Sequence, residues 1–213
     1  KLRVQTVSRR DVWLVHEQLD LIVKSGALAG RAEVLDLKDH EVHRYELLLR
    51  LVTVPGSEPL LPSAFLYVAE RFNLIQDIDC WVARRAIELI AEYGRAGVRL
   101  NLHVNLSGKS IGDPGVAAGI EEAMSDTGID PACLTFELTE TTAITSIEDA
   151  RTFAGRLQPR GCLLALDDFG AGFGSFYYLK HLPFDLLKID GEFVRNLTDS
   201  VKDQAVVKSL ARI

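Results

Sequence analysis

From residue 98 onward the chain alternates short strand-like segments with amphipathic helical ones. This alternation limits the fold more than any other feature. Residues 98–105, 134–138, 162–167 and 186–189 read as strands, while 114–125, 147–157 and 176–182 read as helices. Consecutive strands that each need a helical crossover lie parallel, so the expected class is α/β: a doubly wound sheet or a (β/α) barrel. The part before residue 98 is less regular. Residues 1–10 are polar and basic and read as a linker from an upstream module, with one domain expected over 11–213. Asp11 caps a helical pattern that Gly26 ends; two strand-like segments follow at 33–37 and 42–51, then a loop at 55–62 and helices at 63–72 and 77–93. There is no internal repeat and no low-complexity tract.

Bulk properties exclude several function classes. A formal net charge of −6 opposes a nucleic-acid groove, which calls for a basic stripe. A small phosphorylated ligand stays compatible, because bound metal ions can supply positive charge locally. No apolar run approaches the roughly 18 residues of a membrane span, and the first residues do not read as a signal peptide. Cys80, Cys133 and Cys162 sit in apolar or helical settings without paired spacing. They read as thiols of a cytoplasmic domain, not as a zinc site or disulfide framework. The chain begins at Lys1 and its last residues read as an unfinished helix, so a fragment of a larger protein is expected.

The chemistry concentrates at strand ends. Successive strands close on Asn105, on Glu137 and on the pair Asp167 and Asp168, and the last carries Lys188. Apolar and polar residues alternate strictly from Val98 to Asn105, so Asn101, His103 and Asn105 share one face. In a barrel that face is the lumen, and the C-terminal strand ends form the active-site rim. Glu46 is a further acid, set among Tyr45, Leu47, Leu48 and Leu49. Carboxylates and an amide oxygen converging on one mouth suit a hard divalent cation, Mg²⁺ or Mn²⁺. Two such ions can clamp both oxygens of an in-line phosphodiester displacement. Any one of these groups alone reads equally as a solvated strand end or a helix cap; five of them with a lysine do not. Lys188 directly follows Leu186 and Leu187, where a snorkelling surface lysine is the competing reading. The loop Gly170-Ala171-Gly172-Phe173-Gly174-Ser175 lacks the G-x-G-x-x-G spacing of a dinucleotide fingerprint and reads as a loop beside the metals.

The segments Tyr45-Glu46-Leu47-Leu48-Leu49-Arg50, Val104-Asn105-Leu106-Ser107, Phe136-Glu137-Leu138-Thr139-Glu140, Asp167-Asp168-Phe169-Gly170 and Leu187-Lys188-Ile189-Asp190 occur in the order and spacing of EAL domains. The chain resembles that family from about Leu28 onward. The resemblance implies a TIM-like (β/α)8 barrel with an antiparallel first strand, here lacking the last two strands, and hydrolysis of cyclic di-GMP to linear pGpG with Mg²⁺ or Mn²⁺, two ions in all. It implies metal ligands at Glu46, Asn105, Glu137, Asp167 and Asp168, a lysine at Lys188 that positions or activates the attacking water, and a glutamate at Glu140 that steadies the loop after Asp168. Arg50 resembles an arginine that contacts a ligand phosphate. Cyclic di-GMP is the expected ligand, with a homodimer and an upstream sensory or cyclase module as expected partners.

Departures from the family pattern support a second reading, a degenerate domain that binds cyclic di-GMP or a protein without hydrolysis. Ala32-Glu33-Val34 stands where the family has a Gln-Pro-Ile-like segment with a ligand-contacting glutamine, and Ala171-Gly172-Phe173-Gly174 carries fewer hydroxyls than the usual loop. With the last two strands absent, the fragment itself is expected to be weak or inactive.

Overall fold

The computed structural model describes residues 31–35, 42–51, 58–170, 180–195 and 197–210. The expected linker at 1–10, the helix from Asp11 to Gly26 and residues 171–179 of the expected loop and helix lie outside these residues.

Six strands form one sheet in sequence order: β1 (Arg31–Leu35), β2 (Val42–Leu47), β3 (Leu102–Asn105), β4 (Leu134–Thr139), β5 (Leu163–Phe169) and β6 (Leu186–Ile189). β1 and β2 pair antiparallel, with Ala32 opposite Glu46, and every later neighbour is parallel. Helices α1 (Pro62–Arg71), α2 (Ile75–Arg95), α3 (Gly108–Ile111), α4 (Pro114–Thr127), α5 (Glu140–Thr145), α6 (Ile147–Leu157), α7 (Gly191–Arg195) and α8 (Val201–Leu210) complete the described elements, with short 3₁₀ turns after α4 and α6. The arrangement is a partial (β/α) barrel, its sheet backed by helices.

Alternation along the parallel strands sorts side chains between two faces. Leu102, Val104, Leu134, Phe136, Leu138, Leu164 and Leu166 are at most 1% exposed and make up the helix-facing core. Phe136 meets Phe153 of α6 edge to face, with centroids 5.6 Å apart, a geometry that favours aromatic pairs. The intervening residues Glu46, His103, Asn105, Thr135, Glu137, Asp167 and Lys188 occupy the opposite, inner face. α2 buries Ala83, Ala86, Ile87 and Leu89 completely. It approaches α4 closely at Gly119, where a Cβ would lie 3.2 Å from Cys80 Sγ.

Two expected strands are shorter in the structure. The segment at 98–105 enters the ladder only at Leu102, because its neighbour begins pairing at Tyr45; upstream, Val98 is half exposed. The segment at 42–51 leaves the sheet after Leu47, and Leu48 and Leu49 instead line a cavity of about 420 Å³ with Leu66 and Val82. Arg50 therefore sits on the connection beyond the strand. Apolar continuity could not separate strand from cavity wall. The short helices α3, α5 and α7 also escaped the sequence reading, since one or two turns carry no periodic signal. Cys133 and Cys162 are buried and Cys80 half-buried, all as free thiols; burial pushes the Cys162 thiol up to about 12.

Candidate functional site

Register places the inner-face groups at one end of the sheet. Asn105 pairs with Glu137 across β3 and β4, and Thr139 with Asp167 across β4 and β5. Glu46 on β2 is opposite His103, and Lys188 follows Leu187, which pairs with Leu166. The side chains converge on the Lys188 ammonium: Nζ donates to Glu137 Oε2 at 2.7 Å, Asp167 Oδ2 at 3.1 Å and Glu46 Oε2 at 3.2 Å. Asn105 Nδ2 donates to Glu46 Oε1 at 2.8 Å, which leaves the Asn105 carbonyl oxygen available as a ligand. Glu137 is fully buried, while Glu46 and Asp167 retain 14% and 17% of their side-chain exposure.

Oxygens of Glu46, Glu137 and Asp167 lie within 4.8 Å of one another. The ammonium held at this focus shows that the cluster concentrates enough negative charge to bind a cation. The donor set, all oxygen and mostly anionic, fits Mg²⁺ or Mn²⁺ and not a soft metal. Burial alone would pull the Lys188 ammonium down, but the hydrogen bond and charge of Glu137 with the charges of Glu46 and Asp167 outweigh it. The ammonium is held above the ordinary lysine range.

Asp167 and Asp168 part company at the strand end. Asp168 adopts a left-handed backbone, φ 53°, and its N–H donates to Asp167 Oδ1 at 2.9 Å. The β5–β6 register is interrupted here, so Asp167 joins the cluster while Asp168 is exposed at the rim. Asp tolerates this conformation better than most residues. Partial burial, then the charges of Asp167 and Asp190, push the Asp168 carboxyl above its usual range against the pull of Lys188. Asp190 is thus a near neighbour to which the sequence reading gave no role. Gly170 follows at φ 99°, where a Cβ would come within 2.7 Å of Phe193, so only glycine fits this turn. Glu140, 4% exposed, accepts the Gly170 N–H at 2.9 Å, and its Oε1 is buried without a partner among the described residues. Arg50 donates to the Leu49 carbonyl at 2.9 Å and has no hydrogen bond to these groups among the described residues.

Two residues of the site region were missed as partners. His103 was placed on the inner face, but its bond to Glu137, 2.6 Å from Nδ1 to Oε1, joins strands that sequence spacing cannot pair. Asp79 lies on the buried face of α2, 7% exposed, and accepts from Ser107 N at 2.8 Å and Ser110 Oγ at 2.6 Å. An acid among Ile75, Ile78 and Val82 was the available signal. It fastens the turn directly after Asn105. Burial raises the Asp79 carboxyl despite these hydrogen bonds. A raised folded value means the acid's contribution to stability falls as pH climbs through the carboxylate range, and the penalty is complete at neutral pH. Asp79→Asn keeps an acceptor oxygen for both donors and removes the charge. Its unfolding midpoint at pH 7 is expected about 3 °C above wild type, the shift that about 1 kcal/mol produces at this size. The gain should shrink towards pH 4; a variant less stable at pH 7 than at pH 4, relative to wild type, contradicts this account.

Comparison with known proteins places this geometry in context. The EAL domain family profile matches residues 32–213. A protein named cyclic di-GMP phosphodiesterase PdeB from Shewanella oneidensis is 40% identical over 167 residues, 78% of this chain and 19% of its own length. One named cyclic di-GMP phosphodiesterase PdeF from Escherichia coli is 34% identical over 169 residues, 79% of this chain and 22% of its own length. The chain therefore spans about a fifth of the length of these curated relatives. The crystal structure of the Xanthomonas citri FimX EAL domain in complex with c-diGMP superposes with a TM-score of 0.78 at 28% identity, covering 94% of this chain and 78% of that one.

Proposed function

Since the chain belongs to the EAL domain family, we propose that the complete domain to which it contributes hydrolyses cyclic di-GMP to linear pGpG as part of bacterial second-messenger signalling. The supporting observation is the convergence of Glu46, Glu137 and Asp167 on one cationic focus at the sheet's C-terminal end. In this reading the six strands are the first six of a (β/α)8 barrel whose first strand runs antiparallel. Glu46, Asn105, Glu137 and Asp167 hold Mg²⁺ or Mn²⁺, and Asp168 at the rim serves a second ion. Bound there, such ions supply charge stabilisation and an activated water at a phosphodiester.

The chain's own groups do the rest. Lys188 orients the attacking water through an ammonium N–H. Water adds to phosphorus, the bond from phosphorus to the ribose O3′ breaks, and O3′ takes up a proton, leaving a 5′-phosphate. Glu140 fixes the Gly170 turn and so the position of Asp168. Arg50, on the connection after β2, meets a ligand phosphate. The reaction belongs in the cytoplasm, in keeping with the free thiols. No helix of the described residues is long and apolar enough to cross a membrane. A homodimer and an upstream sensory or cyclase module are part of the same proposal.

A second reading, cyclic di-GMP binding without hydrolysis, draws on Ala32, which pairs with Glu46 where the family resemblance implies a ligand-contacting glutamine. Incubation of the complete domain with cyclic di-GMP and Mn²⁺, with pGpG followed by chromatography and binding by calorimetry, separates the two. Turnover that ceases in excess chelator supports hydrolysis; tight binding with no pGpG supports the receptor.

A further inference from the structure

His103 lies one step deeper in the sheet than the acid it touches. It pairs with Thr135, while Asn105, two residues on, pairs with Glu137. His103 and Glu137 are thus diagonal neighbours on the inner face, close enough for long side chains to meet. His103 is 3% exposed and Glu137 1%. Nδ1 and Oε1 are 2.6 Å apart, while Glu137 Oε2 faces Lys188 Nζ at 2.7 Å. A carboxylate oxygen only accepts, so Nδ1 carries the proton. Nε2 is buried without a partner among the described residues. Among the described residues, the ring's hydrogen bond is therefore the one to Glu137.

We propose that His103 is a positioning residue that fixes the Glu137 carboxylate so that Oε2 alone faces the cation site. The inference rests on the reading of the acid cluster as a divalent-cation site. Among the described residues each Glu137 side-chain oxygen has one partner, His103 at Oε1 and Lys188 at Oε2. When a cation takes the place of the ammonium at Oε2, the bond from His103 still prevents rotation of the carboxylate. Without it Oε1 is a buried acceptor with no other donor among the described residues, and the group must turn to satisfy it. Hydrogen bonds of this kind behind a metal-binding carboxylate set its orientation, and losing one weakens metal binding about 10-fold to 100-fold.

The test exploits where a donor can sit. An Asn amide nitrogen hangs from Cγ, as Nδ1 does, and can replace the donor; a Gln nitrogen lies one bond further out, nearer the place of Nε2. Mn²⁺ uptake is followed by the electron paramagnetic resonance of the free aqua ion, with unfolding in chelator as a check on folding. His103→Ala and His103→Gln should raise the Mn²⁺ dissociation constant about tenfold or more, and His103→Asn should restore it to within about threefold. If His103→Ala does not fold, the Asn and Gln variants decide: tight Asn with weak Gln supports the proposal, and equal affinities overturn it. His103→Asn as weak as His103→Ala overturns it as well. Wild-type uptake with all variants unchanged overturns this proposal alone, whereas no uptake by wild type overturns the cation reading and this proposal with it.

Discussion

In the complete domain, Asp167→Asn is expected to lower cyclic di-GMP hydrolysis about 1,000-fold or more in a protein that otherwise folds normally. Asp167 presents Oδ2 to the focus shared with Glu46 and Glu137. The substitution keeps the shape of the side chain and removes its charge, so packing changes little and the cation loses one of three anionic partners. A tenfold loss of rate corresponds to about 1.4 kcal/mol, so the expected effect amounts to about 4 kcal/mol of lost transition-state stabilisation. That is a reasonable toll for a site where the ion supplies both nucleophile and charge compensation. The assay is pGpG formation at saturating Mn²⁺, with excess chelator on wild type as a parallel arm. A variant within tenfold of wild type, or wild-type turnover that persists in chelator, would place the chemistry elsewhere.

Asp167 was legible in the sequence for a specific reason. A strand buried on both faces is apolar throughout, so a polar residue at its end is conspicuous, and alternation says which face it takes. That logic located Asn105, Glu137, Asp167 and Lys188 on strand ends, and the structure brings all four into one hydrogen-bonded group with Glu46. Asp168 could not be separated from Asp167 by pattern, because the parting is a backbone event: a left-handed residue at a register break. Asp79 was hidden by its helix, where an acid reads as solvated unless the packing partner is known. His103 was assigned the right face without a partner, since the offset between β3 and β4 is fixed by three-dimensional register. Boundaries failed where apolar residues change employment, as at Leu48 and Leu49, which line a cavity after the strand has ended.

Lys188→Met should divide the stability of the protein according to whether divalent cation is present. In chelator, the variant leaves Glu46, Glu137 and Asp167 facing one another with no counter-charge, and Glu137 is wholly buried. Removing one partner from a buried ion pair costs about 3–5 kcal/mol; Lys188 keeps 29% side-chain exposure, so the lower end of that range applies. At about 2–4 °C per kcal/mol for a chain of this size, the unfolding midpoint in chelator should fall by roughly 6–12 °C. Mn²⁺ should recover most of the loss, because the ion replaces the ammonium's charge, while hydrolysis stays lost for want of the group that orients water. The pH dependence has a definite sign. Lys188 is raised in the folded state above its ordinary 10.5, so its contribution is complete below that value and disappears only as pH rises through the folded one. The gap between wild type and variant should therefore hold steady from pH 7 to pH 9. Scanning calorimetry with chelator and with Mn²⁺ reads both effects. If the variant melts with wild type in chelator and gains nothing from Mn²⁺, the three carboxylates do not form a cation site.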